Sequence, residues 1–479
     1  MSLDPQTFRS QLLSLYQSAI DAAVLARLPA GAPRPGLEND VIRAAAQVAT
    51  FHDNDIAIPQ VAPPHIAADA WTTARLAFQL LQARLAGNDA EAEQIEANLQ
   101  GGQFDPNWVA TITEYLEYFG PDGTLRERQY IPPSAGMAPL TFRPGSVIGL
   151  LADWGIGTAA AVTVVNQMAQ FNPDVIIHLG DIYYSGTPDE CQRNFADILN
   201  RTFDRSRVPI YNMVGNHDMY CGGVGFYQLL GKLNPPPLTP QPASFFCLRS
   251  TDNQWQFIAM DTGRFDYDPF GVQDVLVRIE EAEQQWLAAR IAEFAGRTIL
   301  LSHHQLFSAF AQIGAAAPDG TLTPYNPQLR DIFASFTDAA ARGGGSIAAW
   351  FWGHEHTLSI YAPYLGLQKG RCIGHGAIPV LIGDGDDPLT KLVDPPKLLS
   401  HPLGADGSVH AHGFAILTFA HDGSCQVGYY NDTDPGRPFY SETLGGGAVQ
   451  QPTGDNATPP QAVGDILLAG LSGGSAAVA

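Results

Sequence analysis

Five short stretches of this chain place side chains that bind cations or carry protons directly after apolar runs. They are Asp153; Asp181 in Gly180-Asp181; Asn216, His217 and Asp218 in Gly215-Asn216-His217-Asp218; His303 and His304 after Ser302; and His354 and His356 in Gly353-His354-Glu355-His356. Singly, each is weak. An aspartate after a strand more often caps a helix or turn, and Gly-Asn favours a turn. A lone strand-end histidine is more often a hydrogen-bonded structural residue. His354 and His356 differ, because alternate residues of an extended chain face one side and bring two imidazoles together. Five such stretches in one chain point to a metal centre. The donors are carboxylates, an amide and imidazoles without cysteine, a set that suits iron, zinc or manganese rather than a structural zinc knot. Asp181 has two carboxylate oxygens with which to bridge two cations. Cations roughly 3.5–4 Å apart clamp the attacking and leaving oxygens of an in-line displacement, which is what phosphoryl transfer demands.

Positioning these groups requires strands that end together. Apolar runs at 147–153, 174–181, 208–216, 298–303 and 347–354 read as buried strands. Helical segments at 159–171, 281–294 and 328–341 alternate with them, which indicates an α/β domain over 146–435. Ligands collect at the carboxyl ends of strands in such sheets. Hairpins are expected for 244–249 with 255–261, and for 412–420 with 424–430. Residues 1–135 read as a helical cap without a catalytic constellation of their own. Phe8, Leu12, Leu13 and Tyr16 lie near helical spacing, and 67–99 is rich in Ala, Leu, Gln and Glu. The stretch 436–479, mostly Gly, Ala, Pro, Gln and Thr, reads as a mobile tail, with Ile466-Leu467-Leu468 as a short docked turn.

Composition narrows the partners. The 479 residues carry 26 Lys and Arg against 48 Asp and Glu, a formal charge of −22. Such a surface is unsuited to gripping nucleic acid and is repelled by polyanionic membranes. A small phosphorylated substrate is still compatible, since local cationic charge outweighs a distant field. No run of about 18 apolar residues predicts a membrane span. The N-terminus lacks a basic segment followed by an apolar one, which leads us to expect a cytoplasmic protein. Five scattered cysteines without CxxC spacing read as buried free thiols, with one disulfide as the alternative. Nothing in the sequence indicates an oligomeric state.

Taken together, Asp153-Trp154-Gly155, Gly180-Asp181-Ile182-Tyr183-Tyr184, Gly215-Asn216-His217-Asp218, Leu300-Leu301-Ser302-His303 and Gly353-His354-Glu355-His356 resemble the blocks of the calcineurin-like metallophosphoesterases. Within that superfamily the pattern looks most like the purple acid phosphatases. Most calcineurin-like enzymes have a metal-binding histidine two residues after the first aspartate, where this chain has Gly155. Purple acid phosphatases instead have a tyrosine three residues after the bridging aspartate, and Tyr184 stands there. The first block also departs from the family, with Ala152 where glycine is usual, and the N-terminal region does not look like the β-sandwich domain of the large plant enzymes.

The resemblance implies an α/β (α+β) fold in which a central two-sheet β-sandwich is flanked by helices, joined here to an N-terminal helical region. It implies a first metal, Fe(III), on Asp153, Asp181, Tyr184 and His356. A second, Fe(II), Zn or Mn, would sit on Asp181, Asn216, His303 and His354. A metal hydroxide would attack the phosphate. His217 would contact the phosphate and protonate the leaving alkoxide, and Asp218 would orient a neighbour. His304 is a weaker catalytic candidate, and His375 weaker again. The expected activity is hydrolysis of phosphate monoesters with an acidic optimum. The alternative is a phosphodiesterase acting on nucleotides or phospholipid head groups with the same metals.

Overall fold

The computed structural model describes Tyr16 and residues 36–445, except 67, 87, 89–90, 92–94, 96–109, 121–123, 268–275, 314–319, 379, 381–387, 390–391, 401–403 and 407–408. The expected tail beyond 445, with its turn at 466–468, and all of the expected first helix but Tyr16 lie outside the described residues.

Short runs dense in Val, Ile and Leu form the strands, as β-branched side chains favour. In chain order these are β1 (Leu140–Phe142), β2 (Val147–Leu151), β3 (Val175–His178), β4 (Ile210–Asn212), β5 (Phe246–Ser250), β6 (Trp255–Ala259), β7 (Arg297–Leu301) and β8 (Ser346–Trp352). There follow β9 (Leu358–Tyr361), β10 (Gly370–Ile373), β11 (Leu398–Ser400), β12 (Ala405–Asp406), β13 (Val409–His410), β14 (Gly413–Phe419), β15 (Cys425–Asn431) and β16 (Tyr440–Leu444). An eight-stranded sheet runs β1-β5-β6-β7-β8-β10-β9-β11 and a six-stranded one runs β16-β15-β14-β2-β3-β4. β12 and β13 form a two-stranded sheet. Both expected hairpins form, as antiparallel β5–β6 and β14–β15.

The inner faces of the two sheets share one apolar core, with Ile148, Leu150, Ile177, Phe257, Ile299, Leu301, Phe351 and Leu417 among its buried residues. Each such side chain contributes about 1.5–3 kcal/mol on leaving water. The outer face of the six-stranded sheet is covered by a helix over Ala159–Ala169 and a helical run over 188–202. The eight-stranded sheet is covered by helices over Glu281–Ala292 and Pro327–Gly343. Local signals set these helices. The Thr158 side chain caps the first. Asn326 caps the last, with Pro327 at its first turn and Gly344 in the left-handed region after its end. The architecture is the expected sandwich of two mixed sheets between helices.

β16 lies in the stretch whose composition reads as tail. Phe439 and Tyr440 pack on the sandwich core, Leu444 is buried in it, and Tyr440–Leu444 pairs with β15 along its length. Three apolar anchors outweigh the polar composition around them. In the N-terminal region, helices over Gly36–Asp53, Ala68–Leu85 and Ala110–Phe119 are described. The first two bury Val41, Ala45, Val48, Trp71, Phe78 and Leu81 in a cluster of their own. No described helix is long and apolar enough to cross a membrane. All five cysteines are buried and unpaired.

Candidate metal centre

Parallel pairing makes the candidate ligands converge. β2, β3 and β4 run parallel, as do β6, β7, β8 and β10. The segments leaving the carboxyl ends of β2, β3, β4, β7 and β8 therefore meet at one edge of the sandwich. They deliver Asp153, Asp181, Asn216, His303 and His354 respectively. Asp153, Asp181 and His354 all have positive φ, at 53°, 73° and 67°. Left-handed backbone is costly for residues with a Cβ and concentrates at functional sites. Glycine clears the space beside two of them: a Cβ at Gly215 would overlap the Asp181 Oδ1, and one at Gly353 would crowd the Asp153 Oδ2.

Two groups of donors share Asp181. On one side are Asp153, Asp181 and His356. Asp153 and Asp181 form, with His303, a group whose ligand atoms lie within 4.8 Å of one another. The His356 Nε2 is 3.7 Å from the Asp153 Oδ1. On the other side the Asn216 Oδ1 lies 3.0 Å from the His303 Nε2 and 3.1 Å from the His354 Nδ1. The His303 Nε2 is 3.4 Å from the Asp181 Oδ2. The His303 Nδ1 donates to the Leu179 carbonyl at 3.0 Å, which leaves Nε2 facing the site, the outer bond typical of metal-binding imidazoles.

The phenol among these groups belongs to Tyr183. Its hydroxyl is 3.1 Å from the Asp153 Oδ1, the Asp181 Oδ2 and the His356 Nε2 alike. The sequence reading expected Tyr184 in this position. The Tyr184 ring instead packs among apolar residues of the helical region and of the six-stranded sheet's outer core. Local chain geometry accounts for the difference. Gly155 and Ile182 form a parallel bridge and the Tyr183 N–H donates to the Gly155 carbonyl, holding 182–183 against the first block. With 182–183 held there, the Tyr183 hydroxyl lies beside Asp181 and the Tyr184 ring turns out of the site. The Tyr184 N–H donates to Glu190, and its carbonyl accepts from His217.

The three catalytic candidates fall in different environments. The His217 Nδ1–H donates to the Tyr184 carbonyl at 2.7 Å, so in the neutral ring Nε2 is the acceptor. Its ring lies between Tyr183 and Tyr220, with centroids 4.4 and 4.8 Å away. Asp218 is fully buried and accepts from the backbone of Asp181, Ile182 and Gly215, tying two ligand-bearing loops together. His304 comes to the site, its ring 4.4 Å from that of His354. Both of its nitrogens are engaged, Nδ1 with the Thr262 Oγ1 at 3.0 Å and Nε2 with the Asp266 Oδ2 at 3.1 Å. That arrangement suits holding His354 more than reacting. Sequence reasoning missed Thr262 and Asp266, which lie about 40 residues upstream in a loop. His375 is buried beyond the site, behind Gly413.

Electrostatics mark the pocket as built for cations. Burial, with Asp181 alongside, pushes Asp153 up to about 8. Burial likewise raises Asp218, again to about 8. Burial works to raise Asp181 too, but His303 and His217 pull it well below the usual carboxylate range. Burial holds the His356 imidazole down to about 4 and keeps His354 well below its ordinary value. Burial works to lower the His303 imidazole, but the carboxylates beside it raise it to about 9, so the buried acids already draw positive charge into the pocket. Buried acids crowded together are costly alone and are relieved by bound cations, so the donor set fits bound metal.

Residues 146–358 match the family model for calcineurin-like phosphoesterases. No curated protein matches the chain. Among solved structures the chain is similar to GAP50, the anchor in the inner membrane complex of Plasmodium, at 13% identity and a TM-score of 0.42, over 63% of this chain and 89% of that one. It is also similar to purple acid phosphatase PPD1 from yellow lupin (Lupinus luteus) seeds, at 15% identity and a TM-score of 0.40, over 65% of this chain and 55% of that one. The strand-end donors all lie within 146–358, the part of the chain that is similar to the calcineurin-like phosphoesterases.

Proposed function

We propose that this protein hydrolyses phosphate monoesters of small molecules at a dinuclear metal centre of the acid phosphatase type. The observation that carries the reading is the convergence of Asp153, Asn216, His303, His354 and His356 on Asp181. In this reading Asp153, Asp181, His356 and a tyrosine hold one cation, and Asp181, Asn216, His303 and His354 hold the other. Bound there, two cations supply Lewis-acid stabilisation of the phosphoryl oxygens and a lowered pKa for water. His217, fixed through its Nδ1, presents Nε2 to the phosphate, and with both nitrogens protonated it would donate the Nε2 proton to the leaving oxygen. Asp218 holds the loops of Asp181 and Asn216 in register. The catalytic unit is 146–435, with β16 as its closing strand, and 1–135 is the attached helical region. Turnover of p-nitrophenyl phosphate beside bis-p-nitrophenyl phosphate tests the substrate class. The monoester is expected to be the faster; a preference for the diester would assign the protein to the phosphodiesterases.

The metal at the phenol side is proposed to be ferric iron, with Fe(II), Zn or Mn at the other. What supports Tyr183 over Tyr184 as its phenol donor is the 3.1 Å spacing of the Tyr183 hydroxyl to three of the other donors. Iron-loaded wild-type protein is expected to show a visible phenolate-to-iron charge-transfer band. Tyr183→Phe, which removes one oxygen, should abolish the band, and Tyr184→Phe should keep it. The reverse pattern would return the assignment to Tyr184.

A further inference from the structure

The helical region touches the metal centre at the turn that follows Asn216. A four-residue helix, Asn216–Met219, carries three of the site's side chains, Asn216, His217 and Asp218, and ends at Tyr220. Tyr220 is only 3% exposed, and it belongs to the apolar cluster formed by Trp71, Phe78 and Leu81 of the helical region. Two residues on, Gly222 has φ 70°, and a Cβ there would overlap the ring of Tyr118, from the helix Ala110–Phe119. The Gly222 carbonyl accepts from the Gln129 N–H at 2.9 Å. Three contacts from the N-terminal side thus close on a turn of four residues.

The Tyr220 hydroxyl is where this packing meets the chemistry. It accepts from the Asn216 Nδ2 at 2.8 Å. The other end of that amide, Oδ1, faces His303 and His354. An asparagine has one oxygen that binds cations and one nitrogen that does not, so its amide must be held the right way round. The Tyr220 hydroxyl accepts from the nitrogen end, which leaves the oxygen end beside His303 and His354. Its ring also flanks His217, with centroids 4.8 Å apart.

We propose that the helical region forms one wall of the metal centre and that Tyr220 is the positioning residue through which it acts, orienting Asn216 toward the second cation. This rests on the two-metal reading above. The role is geometric: Tyr220 fixes which atom of Asn216 the cation meets, and the helical cluster fixes Tyr220.

The test is titration of the chelator-stripped full-length chain with Zn(II) or Mn(II), followed calorimetrically. Wild-type protein should bind two cations, and Asn216→Ala identifies the step that depends on Asn216. Tyr220→Phe should weaken that step by about 10–100-fold, the usual cost of losing a group that orients a ligand, and leave the other step unmoved. Combined with Asn216→Asp, whose two oxygens are equivalent, Tyr220→Phe should cost clearly less, because a hydrogen bond is lost but no orientation. An unmoved step, both steps weakened together, or a Tyr220→Phe effect that is undiminished with Asn216→Asp would each overturn the proposal. Two cations in the wild type with any of those results overturns this inference alone. Fewer than two cations in the wild type overturns the two-metal reading and this inference with it.

Discussion

Asp181→Asn is expected to lower the turnover of p-nitrophenyl phosphate by roughly 10³-fold or more. Asp181 stands at the junction of the two donor groups. Its Oδ2 is 3.4 Å from the His303 Nε2 and 3.1 Å from the Tyr183 hydroxyl, and its Oδ1 accepts from the His217 N–H at 3.0 Å. Asparagine keeps the shape and one accepting oxygen but removes the charge and the second oxygen, so bridging is lost. Lewis-acid stabilisation by bound metal is worth several kcal/mol, and each 1.36 kcal/mol is a factor of about ten in rate. Metal content should fall below two per chain while the circular dichroism spectrum is retained. Near wild-type turnover in Asp181→Asn would mean that Asp181 does not bridge.

The largest expected effect on stability lies at the far side of the sandwich. Glu442 on β16 accepts from the Arg371 Nε at 2.7 Å and Nη2 at 2.8 Å, from the Lys369 Nζ at 2.5 Å and from the Tyr429 hydroxyl at 2.9 Å. Arg371 belongs to β10 of the eight-stranded sheet and Glu442 to the six-stranded one, so this group ties the sheets together. The Arg371 and Glu442 side chains are 2% and 7% exposed. Removing one partner of a buried pair leaves the other charge uncompensated, at a cost of about 3–5 kcal/mol. Glu442→Gln should therefore lower the unfolding free energy by about that amount in denaturant titration. A loss under about 1 kcal/mol, the scale of an exposed pair, would contradict the buried description.

The pH dependence follows in sign. Burial works to raise Glu442, but the Arg371 and Lys369 cations bring it down to about 2 from an ordinary value near 4.5. A carboxylate with a lowered folded-state pKa contributes stability that is fully present above its unfolded pKa. That contribution drains away as pH falls through the folded value. Wild-type protein should thus lose about 3 kcal/mol from this group between roughly pH 5 and 2, and Glu442→Gln should lack that component.

Much of the candidate site was legible in the residues because each candidate ligand stands just after an apolar run, and parallel strands end together. That rule alone brings Asp153, Asp181, Asn216, His303 and His354 to one edge of the sandwich. The phenol was harder to place. Counting three residues from Asp181 leads to Tyr184, whereas the backbone bridge from Gly155 to Ile182 holds Tyr183 against the first block, with its hydroxyl among the candidate ligands. Tyr220 left a faint signal, four residues after Asn216 on one short helix, where side chains meet. Thr262 and Asp266 left none, since their tie to His304 depends on how a distant loop folds back. The strand Tyr440–Leu444 was masked by a polar, glycine-rich neighbourhood, and only Phe439, Tyr440 and Leu444 hinted at it.

Catalysis is proposed to require two cations held by these residues. Chelator-stripped protein, assayed for p-nitrophenyl phosphate hydrolysis as cation is returned, tests it most directly. The predicted result is a negligible rate without metal that rises and levels at two equivalents per chain. A stripped protein that keeps its full rate, or one that two equivalents leave inactive, would contradict it.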